Sequence, residues 1–325
     1  MNSAVATNRV AIMQYDLISA CGITPATCVQ WVEDSFRMKP HATLPPKISL
    51  HPQGDDFFNT MPVLLPPECG RFAVKEVHRI VGQEPALGSD LLLYDSRTGR
   101  LLAIMDADWI TAMRTGAVAA LSVRLFQRGG VDTYSVMGLG NTARATVLCL
   151  LDVLGAKPVT LRLLRYKDQA EAFAHRFKDR DNVTFEIVDD VHDFVASADV
   201  LISCITAASG LVCDRDELFS PGMLLIPIHT RGFQNCDLFF DKVYGDDRGH
   251  VQGFRYFDRF RHFAELTDVL LNADPGRESD QERILCYNIG LGLHDAVFAS
   301  RLYDLLIGQC TEFIDQRKET RKFWL

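Results

Sequence analysis

The 325-residue sequence lacks the long apolar run and the paired cysteines that mark membrane, secreted and zinc-binding proteins. No apolar run reaches about 18 residues, the length that a membrane-spanning helix needs, and the chain does not open with a secretory signal. The nine cysteines are scattered singly, with no Cys-x-x-Cys pair, which argues against a disulfide framework. We therefore expect a cytoplasmic protein in a reducing compartment, with no membrane partner.

Basic residues are fewer than acidic ones, with 34 Lys and Arg against 42 Asp and Glu. The formal net charge is −8 at pH 7, whereas nucleic-acid binding depends on clustered Lys and Arg. The one dense basic run, RKETRK near the C-terminus, is expected to be a solvated tail, and the histidines show no metal-ligand spacing. We predict neither a nucleic-acid partner nor a bound metal.

From about residue 117 to residue 290, apolar strand patterns alternate with helical ones. This alternation is typical of a parallel, doubly wound sheet of the Rossmann type. The N-terminal third instead holds Pro-rich connections, the strand RFAVKEVHRIVG and the hairpin DLLLYDSRTGRLLAIMD. A long helix is predicted from DADWITAM to the glycine pair at 129–130, and two helices, HFAELTDVLLN and GLGLHDAVFASRLYDLLIG, close the chain. The predicted fold class is α/β, with a central Rossmann-like domain and a second, α+β layer.

The clearest motif is Gly138-x-Gly140-x-x-Ala143, which lies between an apolar strand and a helical pattern. The context suits a dinucleotide loop, because another strand follows about 20 residues on. Gly138 permits a tight turn, Gly140 lets the backbone approach a pyrophosphate, and Ala143 allows close helix–strand packing. The helix N-terminus favours phosphate, and Thr142 adds a hydroxyl. The alternative is an ordinary Gly-rich turn.

The end of the second Rossmann strand carries cations where NAD-binding proteins have an acid. Arg165 and Lys167 stand in LRLLRYKDQAEAF, and positive charge suits the 2′-phosphate of NADP(H). NADP(H) is therefore favoured, and NAD(H) remains possible. In the alternative, both cations are solvated and Asp168 binds the ribose.

Three further side chains are candidates for a ligand-binding site. Arg114 lies inside an apolar helix pattern and can bind a carboxylate through two parallel hydrogen bonds; it could instead pair with Asp106. Lys75 lies in the middle of a strand, as an edge-strand charge or as an ammonium facing a cleft, where a neighbouring cation would depress its pKa for proton transfer. His229 follows the strand LLIPI, at the sheet edge where open α/β sheets bind ligands.

Over nearly its whole length the chain resembles the ornithine cyclodeaminase/mu-crystallin family. The resemblance rests on TGRLLAIMD, TAMRTGA, MGLGNTA, ADPGRESD and GLGLHDA. It implies an NAD(P)-dependent oxidoreductase of the amino acid dehydrogenase or imine reductase type, which transfers hydride at the carbon next to the carboxylate of a small amino or imino acid. It also implies a homodimer, in which residues 1–116 and 291–325 bind substrate and dimerise while residues 117–290 bind the dinucleotide.

The same resemblance implies the site residues. Lys75 and Arg114 are the expected catalytic residues at the substrate carboxylate, and Lys47 and Met61 join them in the substrate site. The expected cofactor-binding residues are Ser89, Arg114, Thr115, Gly138, Leu139, Gly140, Asn141, Thr142, Ala143, Arg165, Lys167, Thr206, Ile228, His229 and Thr230.

One position departs from the family pattern. The cyclodeaminases have an Asp after the last Rossmann strand, and Gly232 stands at about that position here, while Asp237 aligns better with a structural acid. The loop HTRGF…DKVYGDD looks more like the branch that makes diaminopropionate. The two rival hypotheses are an ornithine cyclodeaminase-type ammonia lyase and an NADPH-binding, crystallin-like protein with reduced catalysis.

Overall fold

The structure, a computed structural model, describes residues 5–206 and 208–319. Its strands are β1 (Val5–Met13), β2 (Ile48–Leu50), β3 (Phe57–Leu64), β4 (Arg71–Arg79), β5 (Leu87–Asp95), β6 (Leu101–Asp106), β7 (Thr133–Met137), β8 (Val159–Leu164), β9 (Val183–Val188), β10 (Val200–Ser203), β11 (Leu224–Pro227), β12 (Lys242–Gly245), β13 (Phe263–Glu265), β14 (Ile284–Tyr287) and β15 (Phe313–Glu319). Its α-helices are α1 (Tyr15–Ser19), α2 (Pro25–Met38), α3 (Asp108–Phe126), α4 (Asn141–Leu154), α5 (Gln169–His175), α6 (Val191–Ala196), α7 (Arg248–Val251), α8 (Leu266–Leu270) and α9 (Gly292–Leu306).

The described residues divide into two compact units. The first contains the segment up to Ile23, Met38–Thr111 and the segment from Gly292 onward; the second contains Thr24–Arg37 and Ala112–Leu291. The substrate-binding and dimerisation role expected of residues 1–116 and 291–325, and the dinucleotide-binding role expected of residues 117–290, stay predictions.

The first unit is built on a mixed sheet in the order β15-β1-β6-β5-β4-β3-β2. The β1–β6 pair is parallel and the other pairs are antiparallel. The predicted hairpin is confirmed as β5 and β6. Helix α9 packs on β3, β4 and β5, and every second residue of β4 is buried, as expected for a strand with one covered face.

The second unit is built on a parallel sheet in the order β13-β12-β14-β11-β10-β7-β8-β9. Strands β10, β11, β12 and β14 are buried at every residue, which is the pattern of strands covered on both faces. The strand order reverses between β7 and β10, because β8 lies on one side of β7 and β10 on the other. The α/β fold class with a doubly wound sheet is therefore confirmed, and the Gly loop follows β7 at the switch point.

Two local predictions were wrong. The segment HFAELTDVLLN is not one helix, since Phe263–Glu265 forms β13 beside β12, and α8 begins only after Glu265, which caps it together with Asp268. The run RKETRK does not begin as a solvated tail, because Phe313–Glu319 forms β15 and pairs antiparallel with β1. The last residues of that run lie outside the described part of the chain.

Within residues 5–206 and 208–319, no helix combines the length and the apolar character that crossing a bilayer requires. The same residues contain no group of three or more His, Cys, Asp or Glu side chains suited to a metal ion. None of the nine cysteines takes part in a disulfide.

Candidate functional site

The Gly loop after β7 is shaped by close backbone packing. Gly138 has a φ of 76°, and a Cβ at this residue would lie 2.7 Å from the carbonyl oxygen of Cys204. Only glycine therefore fits without strain. Its carbonyl accepts a hydrogen bond from the N–H of Gly140 at 2.8 Å, which closes the turn before α4.

The N-terminus of α4 presents backbone rather than side chains. Gly140 is its N-cap residue and provides no side-chain cap. A Cβ at Gly140 would meet nothing within 4 Å, so the space beside this backbone is open. An open approach to the positive end of a helix dipole fits a pyrophosphate. Leu139 and Ala143 are buried, while Asn141 is exposed and Thr142 half-buried.

The backbones of α3 and α4 approach each other closely at Gly116. A Cβ at Gly116 would lie 2.6 Å from the backbone nitrogen of Thr146. The glycine of RTGA is thus a packing requirement, which sequence reasoning missed although a glycine inside a helix pattern was the available signal. Thr115 and Ala143, on either side of this contact, are both buried.

At the end of β8, acidic side chains accompany the cations that the sequence analysis identified. The Arg165 guanidinium pairs with both Glu171 and Asp189, all three side chains being substantially exposed. Lys167 has a φ of 51° and places its ammonium 5.3 Å from the centre of the Tyr166 ring. A 2′-phosphate at this place would compete with two carboxylates for Arg165.

The carboxyl ends of β10 and β11 meet at a buried serine and a half-buried histidine. The Oγ of Ser203 lies 2.7 Å from Nε2 of His229, and the N–H of Ile228 donates to the Ser203 carbonyl at 2.8 Å. Burial lowers the pKa of His229 to about 4, so its imidazole is neutral near pH 7. Thr206 follows β10 and the exposed Thr230 follows His229, so these residues share one sheet edge with the Gly loop.

Gly232 owes its identity to backbone conformation. Its φ is 109°, and a Cβ there would lie 3.0 Å from Cγ2 of Val212. An aspartate at this position would be strained, so the backbone conformation of the loop explains why no carboxylate stands here. Asp237 is buried and accepts a hydrogen bond from the Tyr287 hydroxyl at 2.7 Å, and burial raises its pKa to about 6.

Arg114 is buried against Gly290, a third glycine of this site with a positive φ. A Cβ at Gly290, whose φ is 101°, would lie 2.6 Å from Nη1 of Arg114. The N–H of Gly290 donates to Oδ2 of the fully buried Asp246 at 2.6 Å. Asp246 thus holds the turn that makes room for the guanidinium, a contact that sequence reasoning missed.

Lys75 forms a buried ion pair in the first unit. Its Nζ lies 2.8 Å from Oδ1 of Asp295 on α9, and the two side chains are 0% and 1% exposed. The strand β4 is interior, so the edge-strand interpretation of Lys75 is wrong. Met61 stands opposite Lys75 on β3 and is buried, and Lys47 lies half-buried just before β2.

The Lys75 ammonium also donates to the hydroxyl of Thr111 at 3.2 Å. Oγ1 of Thr111 lies 2.9 Å from Oγ of Ser89, and that hydroxyl donates to Oδ1 of Asp108 at 3.0 Å. Sequence reasoning placed Ser89 among the cofactor residues and missed its connection to Lys75. A threonine and an aspartate in the first turn of α3, facing a strand lysine, were the available signal.

Comparison with known proteins gives three principal findings. Residues 13–309 match the model of the ornithine cyclodeaminase/mu-crystallin family. The nodulation efficiency protein NfeD of Rhizobium meliloti is 28% identical over 91% of this chain and 92% of its own length. The ketimine reductase mu-crystallin of Mus musculus is 26% identical over 68% of this chain and 70% of its own length.

The fold also matches a solved structure. The Delta(1)-pyrroline-2-carboxylate reductase of Thermococcus litoralis, in complex with NADH and L-proline, superposes with a TM-score of 0.82. It is 20% identical, and the match covers 92% of this chain and 98% of that one.

Proposed function

The chain belongs to the ornithine cyclodeaminase/mu-crystallin family, and from that premise we propose that it is an NAD(P)-dependent oxidoreductase acting on a small amino or imino acid. The observation that carries the proposal is the Gly138–Ala143 loop, which lies at the switch point of the parallel sheet and opens the uncapped N-terminus of α4. The ketimine reductase activity named for the mouse relative, and the NADH and L-proline bound to the Thermococcus enzyme, support imine reduction.

The residues at the edge of the second sheet fit a dinucleotide. Gly140 leaves space beside the helix N-terminus for a pyrophosphate. The buried Ser203 and the half-buried, neutral His229 lie where the nicotinamide half is expected. When bound, the reduced nicotinamide supplies a hydride. The imine carbon accepts the hydride, the electron pair of the C=N bond moves to nitrogen, and nitrogen takes one proton, which gives the amine.

Lys75 and Arg114 are proposed to bind the carboxylate of the substrate, and Lys75 to exchange the proton. Each is buried and positioned, Lys75 by Asp295 and Arg114 by the turn at Gly290. A positioned cation holds a carboxylate at a lower entropic cost than a mobile one.

We propose NADP(H) in preference to NAD(H), with a small ratio of affinities. Arg165 and Lys167 lie where a 2′-phosphate is expected. Glu171 and Asp189 already engage Arg165, so part of the gain from phosphate is offset by the loss of these ion pairs.

A homodimer is proposed from the apolar edge of the first sheet. Ile48 and Leu50 on β2 are 56% and 64% exposed, and Phe58 and Leu64 on the neighbouring β3 are each 41% exposed. An edge strand with exposed apolar side chains favours pairing with another chain.

The nine cysteines without a disulfide support a reducing compartment such as the cytoplasm.

The proposed function is tested by following reduced nicotinamide absorbance with five- and six-membered cyclic imino acids and with open-chain imines. We expect reduction of at least one of these substrates, and no ammonia release from ornithine. Ammonia release with ring closure would replace the proposal by the lyase alternative. Dinucleotide binding without any turnover would replace it by a binding role.

A further inference from the structure

A continuous line of hydrogen bonds connects the buried Lys75 to the protein surface. The ammonium donates to Thr111, whose hydroxyl lies 2.9 Å from Ser89, and the Ser89 hydroxyl donates to Asp108. Lys75, Ser89 and Thr111 are each less than a tenth exposed, whereas Asp108 is half-buried. We propose that Thr111, Ser89 and Asp108 form a proton relay between Lys75 and solvent, an inference that rests on the proposed function for its purpose.

The donors along this line all point the same way. Asp108 Oδ1 accepts both the backbone N–H of Ser89, at 2.7 Å, and its hydroxyl, at 3.0 Å. Because the single hydroxyl hydrogen of Ser89 is used there, Ser89 accepts from Thr111. Thr111 in turn accepts from Lys75. Every hydrogen is therefore directed from the lysine toward Asp108.

This polarity defines the transfer. Lys75 passes a proton to Thr111, Thr111 passes its own to Ser89, and Ser89 passes its own to Asp108. Three O–H or N–H bonds break and three form, so the net change is one proton moved from Nζ to the carboxylate. Inward delivery to Lys75 during imine reduction is the reverse sequence, after both hydroxyls have rotated.

The buried partner of Lys75 does not provide such an exit. Asp295 is 1% exposed, so a proton transferred to it would remain in the interior. Asp295 is therefore a positioning residue for the ammonium, and the hydroxyl line connects Lys75 to the half-buried Asp108.

The outer end of the relay is suited to exchanging protons with water. Asp108 donates its backbone N–H to Asp106 at 3.0 Å, and Asp106 stands opposite the exposed Asp90 in the sheet. Burial raises the pKa of Asp106, and the charges of Asp108 and Asp90 raise it further, against that backbone hydrogen bond. The Asp108 carboxylate therefore receives the proton beside two further carboxylates, at the outer end of the line.

The first test measures exchange of the Lys75 ammonium hydrogens with solvent by NMR of nitrogen-labelled lysine, in the full chain without substrate. Thr111→Val keeps the shape but removes the hydroxyl, and we expect exchange to become slower by at least about tenfold. Thr111→Ser restores a hydroxyl and should recover most of the rate. Thr267→Val, another buried threonine on a helix, is the control for a general effect of losing a hydroxyl.

The second test uses turnover. In Thr111→Val and Ser89→Ala we expect kcat for imine reduction to fall by about 10- to 100-fold, with a larger solvent deuterium isotope effect and a nearly unchanged KM. Equal exchange rates in Thr111→Val and wild type would overturn the relay even if the enzyme reduces imines. Absence of turnover in wild type would instead refute the proposed function, while slowed exchange in Thr111→Val would still support the relay.

Discussion

The candidate sites of the two units differ in what forms them, backbone in one unit and side chains in the other. In the second unit the site is backbone: glycines at 116, 138 and 140 bring helix, strand and loop close together and leave a helix N-terminus open. In the first unit the site is side chains: a buried lysine, its aspartate and a line of hydroxyls. Backbone sites bind a ligand common to many proteins, whereas buried side chains set the chemistry of one substrate class. Substitutions should therefore affect the two units in different ways.

The largest effect is expected at the Lys75–Asp295 pair. Lys75→Met removes the ammonium from beside the buried Asp295 carboxylate, so the free energy of unfolding should fall by about 3–5 kcal/mol. The double substitution Lys75→Met with Asp295→Leu removes both charges and should recover most of that stability, without recovering activity. Chemical denaturation and the imine assay measure the two outcomes.

The matched control is the ion pair of Arg71 and Asp304 in the same unit, whose aspartate is 60% exposed. Arg71→Met should cost only about 0–1 kcal/mol. If Lys75→Met proved equally mild, the view that buried side chains dominate the first unit would be wrong.

His229 is an exception within the second unit, because the pH dependence of stability is expected to depend on this half-buried side chain. Its ordinary pKa of 6.5 falls to about 4 in the folded state. Between these values the unfolded chain binds more protons, so stability is lost as pH falls from about 6.5 to about 4, by about 3 kcal/mol in total. Denaturation at a series of pH values should show this loss, and His229→Gln should abolish it.

Asp237 affects the pH dependence of stability in the opposite direction to His229, over nearly the same pH range. Its folded pKa is raised from 3.8 to about 6, so the folded chain binds the extra proton and gains stability as pH falls. Asp237→Asn should therefore steepen the acid loss of stability that His229 causes. A shallower loss in Asp237→Asn would show that its carboxyl is ionised in the folded protein at this pH.

The next effect tests the backbone site. A Cβ at Gly140 meets nothing in the protein, so Gly140→Ala should fold with nearly wild-type stability. The added methyl group occupies space expected for the pyrophosphate, so dinucleotide affinity should fall by about tenfold, or about 1.4 kcal/mol. Fluorescence titration with NADPH measures the affinity, and Gly129→Ala, also in open space, is the control. Unchanged affinity in Gly140→Ala would place the phosphates elsewhere.

The smallest effect concerns cofactor choice. Asp189→Ala removes one competitor for Arg165, so the preference for NADPH over NADH should rise by about threefold. Arg165→Ala should lower that preference, and the exposed Asp179→Ala should leave it unchanged. Titration of each variant with both dinucleotides gives the ratio. Tighter binding of NADH by wild type would refute the NADP(H) proposal.

What the sequence predicted well was local. The alternating patterns located β7 to β11, and the loop motif placed Gly138 at the end of a strand, because periodicity and turn chemistry act over short distances. Contacts between distant residues were missed, such as Lys75 with Asp295, 220 positions apart. The φ of Gly232 was equally hidden, since a glycine in a sequence does not reveal whether it is required or only tolerated.

The pairing of β1 with β15 has a consequence for synthesis of the chain. Val5 stands opposite Glu319, so the first sheet cannot gain its outer strand until residues 313–319 have left the ribosome. The parallel sheet of the second unit lies within residues 133–287 and can form earlier. The nascent protein should therefore form the parallel sheet that carries Gly138 first, and complete the sheet that holds Lys75 last.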